Sequence, residues 1–241
     1  MTPTYPAPNV RRRVLSAWSV HFYTSLGLVA GFLALQAIID LDLSRALLFL
    51  ACALFIDATD GSLARKADVD RWTPQFDGRK LDDITDYLNY TFIPVVFAYR
   101  FGLVIGIAGQ LVLGLVLILS AYGFCQKAAK TDDGFFTGFP NFWNIVILYL
   151  FIFHLPPAVN ALILLFFAIL MLAPFKYITH HTERFHRLTM AVLSLFAVAL
   201  LLIGITIPDT PAWLMLLSLF GPIYYLGLSA YLQLSGSNSS R

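Results

Sequence analysis

Eight of the fourteen acidic residues fall within thirty positions, 57 to 86 (DATDGSLARKADVDRWTPQFDGRKLDDITD), in a chain of 241 residues that is only 12% charged. Four of the eight stand at helical spacing, Asp57 with Asp60 and Asp82 with Asp86. Residues three or four apart share one helix face, so two facing helices would bring four carboxylates to one point. Carboxylates that close repel strongly in a low-dielectric setting and need a countercharge. A divalent metal ion with hard oxygen ligands is the simplest one. Asp68, Asp70, Asp77 and Asp83 read instead as charges at helix ends near the water boundary. Gly61 and Ala64 lie on the same face as the first pair, where small side chains admit a bulky ligand or a neighbouring backbone. Arg65 beside them suits a phosphate. Carboxylates, small residues and one arginine describe a metal–diphosphate site.

The elements that must position these residues are membrane-spanning helices. The chain is 59% hydrophobic and 15% aromatic, with a mean hydropathy of +0.75. Apolar runs long enough to span a bilayer recur from end to end. The expected fold is all-α, an integral membrane bundle of eight transmembrane helices forming one domain over residues 1–241. The spans are expected near Ser16–Ile38, Leu43–Ala64, Lys80–Tyr99, Leu103–Phe124, Phe139–Leu155, then a sixth ending near Tyr177, Leu188–Ile207 and Trp213–Leu232. Residues 1–13 form an expected cytoplasmic tail and 234–241 a flexible one. With both termini inside, Arg45 and Arg100 are the two of sixteen Lys and Arg residues that fall outside, a strong positive-inside bias. The acidic stretch then lies at the cytoplasmic ends of spans two and three. A net charge of +2 argues for no nucleic-acid partner, and Cys52 and Cys125 lack a metal-thiolate or disulfide pattern.

The pattern D-x-x-D-G-x-x-A-R, a spacer, then G-x-x-x-D-x-x-x-D resembles the signature of the CDP-alcohol phosphotransferase family. Here it is Asp57, Asp60, Gly61, Ala64, Arg65, then Gly78, Asp82 and Asp86, and all eight positions are filled. The spacer of twelve residues, Lys66 to Asp77, is longer than most members carry. That spacer, the eight-span plan and the segment GFFTGFPNFW (134–143) resemble the bacterial, choline-using branch of the family.

The resemblance implies transfer of the phosphatidyl group of CDP-diacylglycerol to choline, giving phosphatidylcholine and CMP, in the bacterial inner membrane with the active site facing the cytoplasm. It implies Asp57, Asp60, Asp82 and Asp86 as metal ligands for Mn²⁺ or Mg²⁺, with Asp86 also the base that takes choline's hydroxyl proton. Gly61, Ala64, Arg65 and Gly78 carry over to nucleotide and diphosphate binding. Thr24 joins them through a loose N-x-x-T match in which His21 replaces Asn. Members are often dimers, so a homodimer in membrane lipid is allowed.

A quaternary ammonium donates no N–H hydrogen bond and is held by aromatic faces or a carboxylate. Tyr90 and Asn89, one turn beyond Asp86, are candidates for choline, as are Phe142, Trp143 and Tyr23. Two other readings stand beside this one. The acceptor could be serine, glycerol phosphate or inositol phosphate, or the carboxylates could line a cation transporter. Transporter carboxylates usually sit mid-bilayer on broken helices, whereas these lie at one face.

Overall fold

The computed structural model describes residues 8–126, 135–173, 175–178, 186–207 and 209–237. The described chain is helical apart from one pair of three-residue strands. Five helices are long and apolar enough to cross a membrane: Asn9–Ile39, Leu43–Ala67, Gly106–Cys125, Leu188–Thr206 and Ala212–Gln233. The chain divides into two compact units, 1–100 and 101–241.

The first unit holds α1 (Pro8–Ile39), α2 (Leu43–Ala67), a single turn α3 (Val69–Trp72), α4 (Gly78–Asp86) and α5 (Ile93–Arg100). Helix α1 begins at Pro8, so the segment expected as a polar tail is already helical at Arg11–Arg13. A proline at a helix start loses no hydrogen bond, because the first N–H groups have no partner within the helix. The third span is not one uniform helix. Between α4 and α5, Tyr87–Phe92 form a π-helical segment, so residues 78–100 run continuously with one widened turn.

Two aspartates read as helix-end charges do that work. The Asp77 carboxylate accepts the Lys80 backbone N–H at 3.0 Å and caps α4. Asp68 closes α2 in the left-handed conformation, φ 52°, which aspartate tolerates better than most residues. It also pairs loosely with Arg71 at 3.9 Å.

Helix α1 packs along α2 through a seam of small side chains. Ala17, Ala30, Ala34, Ala37 and Ile38 are buried on α1, and Ala46 and Ala53 on α2. Gly27 and Gly31, four apart, receive the third helical run. A Cβ on Gly27 would meet the Thr85 methyl at 2.8 Å, and one on Gly31 would fall on the Asn89 side-chain oxygen. Asn89 fastens this contact by donating its amide to the Gly27 carbonyl at 3.1 Å. In lipid, where apolar burial between helices gives little drive, such close backbone approach and interhelical hydrogen bonds hold helices together.

The second unit contains α6 (Gly106–Cys125), β1 (Phe135–Thr137), α7 (Trp143–Ile152), α8 (Pro157–Leu170), β2 (Lys176–Ile178), α9 (His186–Thr206), α10 (Ala212–Ser218) and α11 (Phe220–Ser237). The strands pair antiparallel with Phe136 opposite Tyr177. Helices α7 and α8 are apolar but short, and α8 starts on Pro157 as the Pro156-Pro157 turn requires. Helix α11 runs to Ser237, into the stretch expected as a flexible tail, and 238–241 lie outside the described residues. Within this unit Tyr149, Ile152, Phe196, Ile203 and Leu214 form a buried apolar cluster.

The outward faces of both units are apolar. Phe22, Phe32 and Phe55 in the first, and Ile107, Leu111, Ile205 and Trp213 in the second, are exposed. A water-soluble protein rarely displays so much contiguous apolar surface, whereas lipid solvates it without cost.

Gly31→Ala should destabilise the first unit by about 1–3 kcal/mol, because the overlap with a buried amide outweighs the gain in helix propensity. Gly114→Ala, where nothing among the described residues lies within 4 Å of the added carbon, should be neutral or mildly stabilising. Thermal unfolding of both full-length variants in detergent checks the pair.

Candidate active site

Helices α2 and α4 bring three of the four spaced aspartates together. Asp57, Asp82 and Asp86, each half-buried, offer one oxygen apiece within 4.8 Å of one another. Oxygens sharing one octahedral ion at ~2.1 Å bonds stand roughly 3–4 Å apart, so small side-chain adjustments suffice for a divalent cation. Carboxylate oxygens are the donors such hard cations prefer. The residues present therefore fit a metal ion, whose identity between Mn²⁺ and Mg²⁺ this donor set leaves open.

Asp60 stands apart from the three. It is 6% exposed, and its Oδ2 accepts the Thr24 hydroxyl at 2.9 Å across the α1–α2 seam. Thr24 thus touches a carboxylate of the expected ligand set. Next along α2, Gly61 is open: among the described residues the Arg65 guanidinium is the one side chain within 4 Å of a would-be Cβ, at 3.6 Å. Arg65 is exposed and donates to the Ser62 hydroxyl at 3.2 Å. Gly61, Ala64 and Arg65 therefore present a low, cationic face beside the carboxylates.

Gly78 is different. A Cβ there would meet the His21 ring at 2.9 Å, so its small size serves the packing of α4 against α1. His21 is the hub of that contact. Its Nε2 lies 2.8 Å from the Thr73 hydroxyl, and its ring lies 4.4 Å from that of Phe76. Thr73 and Phe76 belong to the long spacer, which is thereby packed onto α1. Trp18 adds an edge-on contact to Phe76, and Arg13 and Arg71 each lie over the Trp72 ring. Sequence reasoning left His21 outside the site residues. Only its replacement of Asn in the N-x-x-T pattern hinted at a role.

The five choline candidates differ in their surroundings. Tyr90 comes to the carboxylates, its hydroxyl donating to Asp57 Oδ2 at 2.6 Å. Asn89 faces α1 and is 4% exposed. Tyr23 lies on the α1–α2 seam with its hydroxyl 2.8 Å from that of Thr59. Trp143 and Phe142 are in the second unit. Trp143 is fully buried and donates its indole N–H to Ser120 at 2.7 Å. Phe142 is 39% exposed and meets the Tyr225 ring edge-on. The direct contact of Tyr90 with Asp57 had no signature in sequence spacing.

No protein-family model matches the chain. Proteins of known name do resemble it. A phosphatidylcholine synthase of Pseudomonas aeruginosa is 37% identical over 88% of this chain and 90% of its own length. One of Legionella pneumophila is 40% identical over 74% of this chain and 70% of its own. One of Borreliella burgdorferi is 35% identical over 74% and 77%.

Replacing one of three crowded carboxylates relieves repulsion in the metal-free protein and removes a ligand. Asp82→Asn should therefore raise the metal-free melting temperature while abolishing most of the stabilisation that Mn²⁺ gives the parent protein. Differential scanning fluorimetry with and without Mn²⁺ reads both effects.

Proposed function

The chain belongs to the phosphatidylcholine synthase family, and from that membership we propose that it transfers the phosphatidyl group of CDP-diacylglycerol to choline, yielding phosphatidylcholine and CMP. The observation that carries the reading is the meeting of Asp57, Asp82 and Asp86 beside the open Gly61–Arg65 face. A diphosphate bound there would find both a cation-binding carboxylate group and the guanidinium of Arg65.

Asp57, Asp82 and Asp86 would hold a divalent ion, with Asp60 as the further carboxylate, and that ion would supply charge neutralisation for the transferring phosphoryl group and the departing CMP. The remaining work belongs to the chain. Gly61 and Ala64 let the nucleotide approach α2 closely, and Arg65 pairs with a phosphate oxygen. Gly78 acts by admitting His21, which sets the α1–α4 spacing. Thr24 holds Asp60 in place. Asp86 takes the proton from choline's hydroxyl as that oxygen bonds to the phosphorus bearing diacylglycerol. The bond from this phosphorus to CMP's phosphate oxygen breaks, and CMP leaves with the electron pair. Holding both substrates at this point converts a two-body encounter into a local step.

The same reading places the protein in the bacterial inner membrane with eight spans. Beside the five long apolar helices, the 78–100 run and the shorter apolar helices α7 and α8 would supply the other three. The distribution of Lys and Arg supports both termini and the carboxylates on the cytoplasmic side. The donor's acyl chains stay in the bilayer while its head group reaches the ends of α2 and α4, and choline arrives from water. One functional domain, present as a monomer or homodimer, serves the reaction.

Purified protein with CDP-diacylglycerol and Mn²⁺ should release CMP and form lipid with labelled choline, and not with serine, glycerol phosphate or inositol phosphate. Product from another alcohol would discard choline, and no CMP with any acceptor would discard the transferase. Asp86→Asn should lower turnover by roughly 10²–10⁴-fold, the range for loss of a positioned acid–base group, while the protein stays folded by circular dichroism.

A further inference from the structure

We infer that Tyr90 is a positioning residue for the metal-binding carboxylates, acting through Asp57 rather than touching choline. This rests on the reading of Asp57, Asp82 and Asp86 as a metal site. The phenol donates to Asp57 Oδ2 at 2.6 Å, within the range of a charge-assisted O–H···O⁻ bond. Such a bond uses one lone pair of one oxygen and fixes the carboxylate's rotation about its own axis. The carboxylate held in this way is also the one that offers an oxygen to the group formed with Asp82 and Asp86.

Without the phenol, Asp57 has reason to turn away, since two like charges lie within 4.8 Å. Groups that orient metal ligands in this way typically control affinity for the ion.

The local fold holds Tyr90 at that task. It sits in the π-helical segment Tyr87–Phe92, where the widened turn changes which residues line a face. Its neighbour Asn89 is tied to the Gly27 carbonyl of α1, and the Tyr90 hydroxyl reaches α2. Successive residues thus fasten one helical run to two different helices. A regular α-helix separates adjacent side chains by about 100°, and the π segment is the place where that separation is altered. Segments of this kind recur at functional sites.

The test compares parent protein and Tyr90→Phe, both full length in detergent, by titration with Mn²⁺ alone and detection of free Mn²⁺ by electron paramagnetic resonance. Tyr90→Phe should weaken Mn²⁺ binding about 10–100-fold with an unchanged metal-free melting temperature. Its transferase activity should recover at saturating Mn²⁺, with the KM for choline unaltered. In an Asp57→Asn background the same change should weaken Mn²⁺ no further, because its effect passes through Asp57. Unaltered Mn²⁺ affinity in Tyr90→Phe overturns the inference, and a raised choline KM alongside it returns Tyr90 to the acceptor pocket. An additive loss in the Asp57→Asn background overturns it too, since Tyr90 would then act elsewhere. Parent protein that binds no Mn²⁺ removes the metal site itself, and the inference with it.

Discussion

Three carboxylates within 4.8 Å of one another are the constraint on which the first unit is built. Like charges at that range repel, and a membrane boundary screens them less than open water does. Nothing in helix propensity favours such an arrangement. It exists because α2 and α4 are held together by contacts that do not involve the carboxylates. Those contacts are made largely through α1. Its alanine seam receives α2, Gly27 and Gly31 receive Thr85 and Asn89, and His21 receives Gly78. Helix α1 contributes no aspartate to the cluster, yet it sets the distance at which the aspartates stand.

Hydroxyl groups then divide the four spaced aspartates into different situations. Thr24 takes Asp60, and Tyr90 takes Asp57. The i,i+3 pair on α2 is therefore not used symmetrically. Asp57 shares its space with Asp82 and Asp86, while Asp60 is turned to the α1 seam. A four-carboxylate cluster read from spacing treats all four alike, because spacing reports a shared helix face and says nothing of what the neighbouring helix donates.

That difference marks the limit of what the sequence makes legible. The aspartate spacing, the small residues between and the membrane-spanning character of α1, α2, α6 and α9 can be read directly, since each rests on periodicity or on long apolar runs. The capping roles of Asp68 and Asp77 can also be read, because their place at a helix end is local. The π segment cannot. Tyr87–Phe92 (YLNYTF) is apolar enough to continue a span, and nothing in its own pattern announces the widened turn that carries the tertiary contacts of Asn89 and Tyr90. The hub at His21 is equally hidden, since Thr73, Phe76 and Gly78 meet it from more than fifty positions away along the chain. Aromatic abundance also hides how differently the aromatic residues are placed. Trp143 and Tyr23 are as aromatic as any choline ligand, but one is wholly buried and the other engaged with Thr59.

The long spacer gains its meaning from the same geometry. Twelve residues between Arg65 and Gly78 could form a loose loop, and a loose loop would leave α4 free to slide along α1. Instead the spacer carries a helical turn, α3, whose C-terminal neighbour Thr73 is fully buried against His21. Asp77 then starts α4 with a side-chain cap. The α4 start is therefore specified twice, by a cap from its own sequence and by a histidine from α1. Asp82 and Asp86 follow at one and two helical turns from that start, so their height relative to Asp57 is determined before any ion binds. The widened turn at Tyr87–Phe92 comes after the second aspartate, so Asp82 and Asp86 keep their regular i,i+4 spacing within α4.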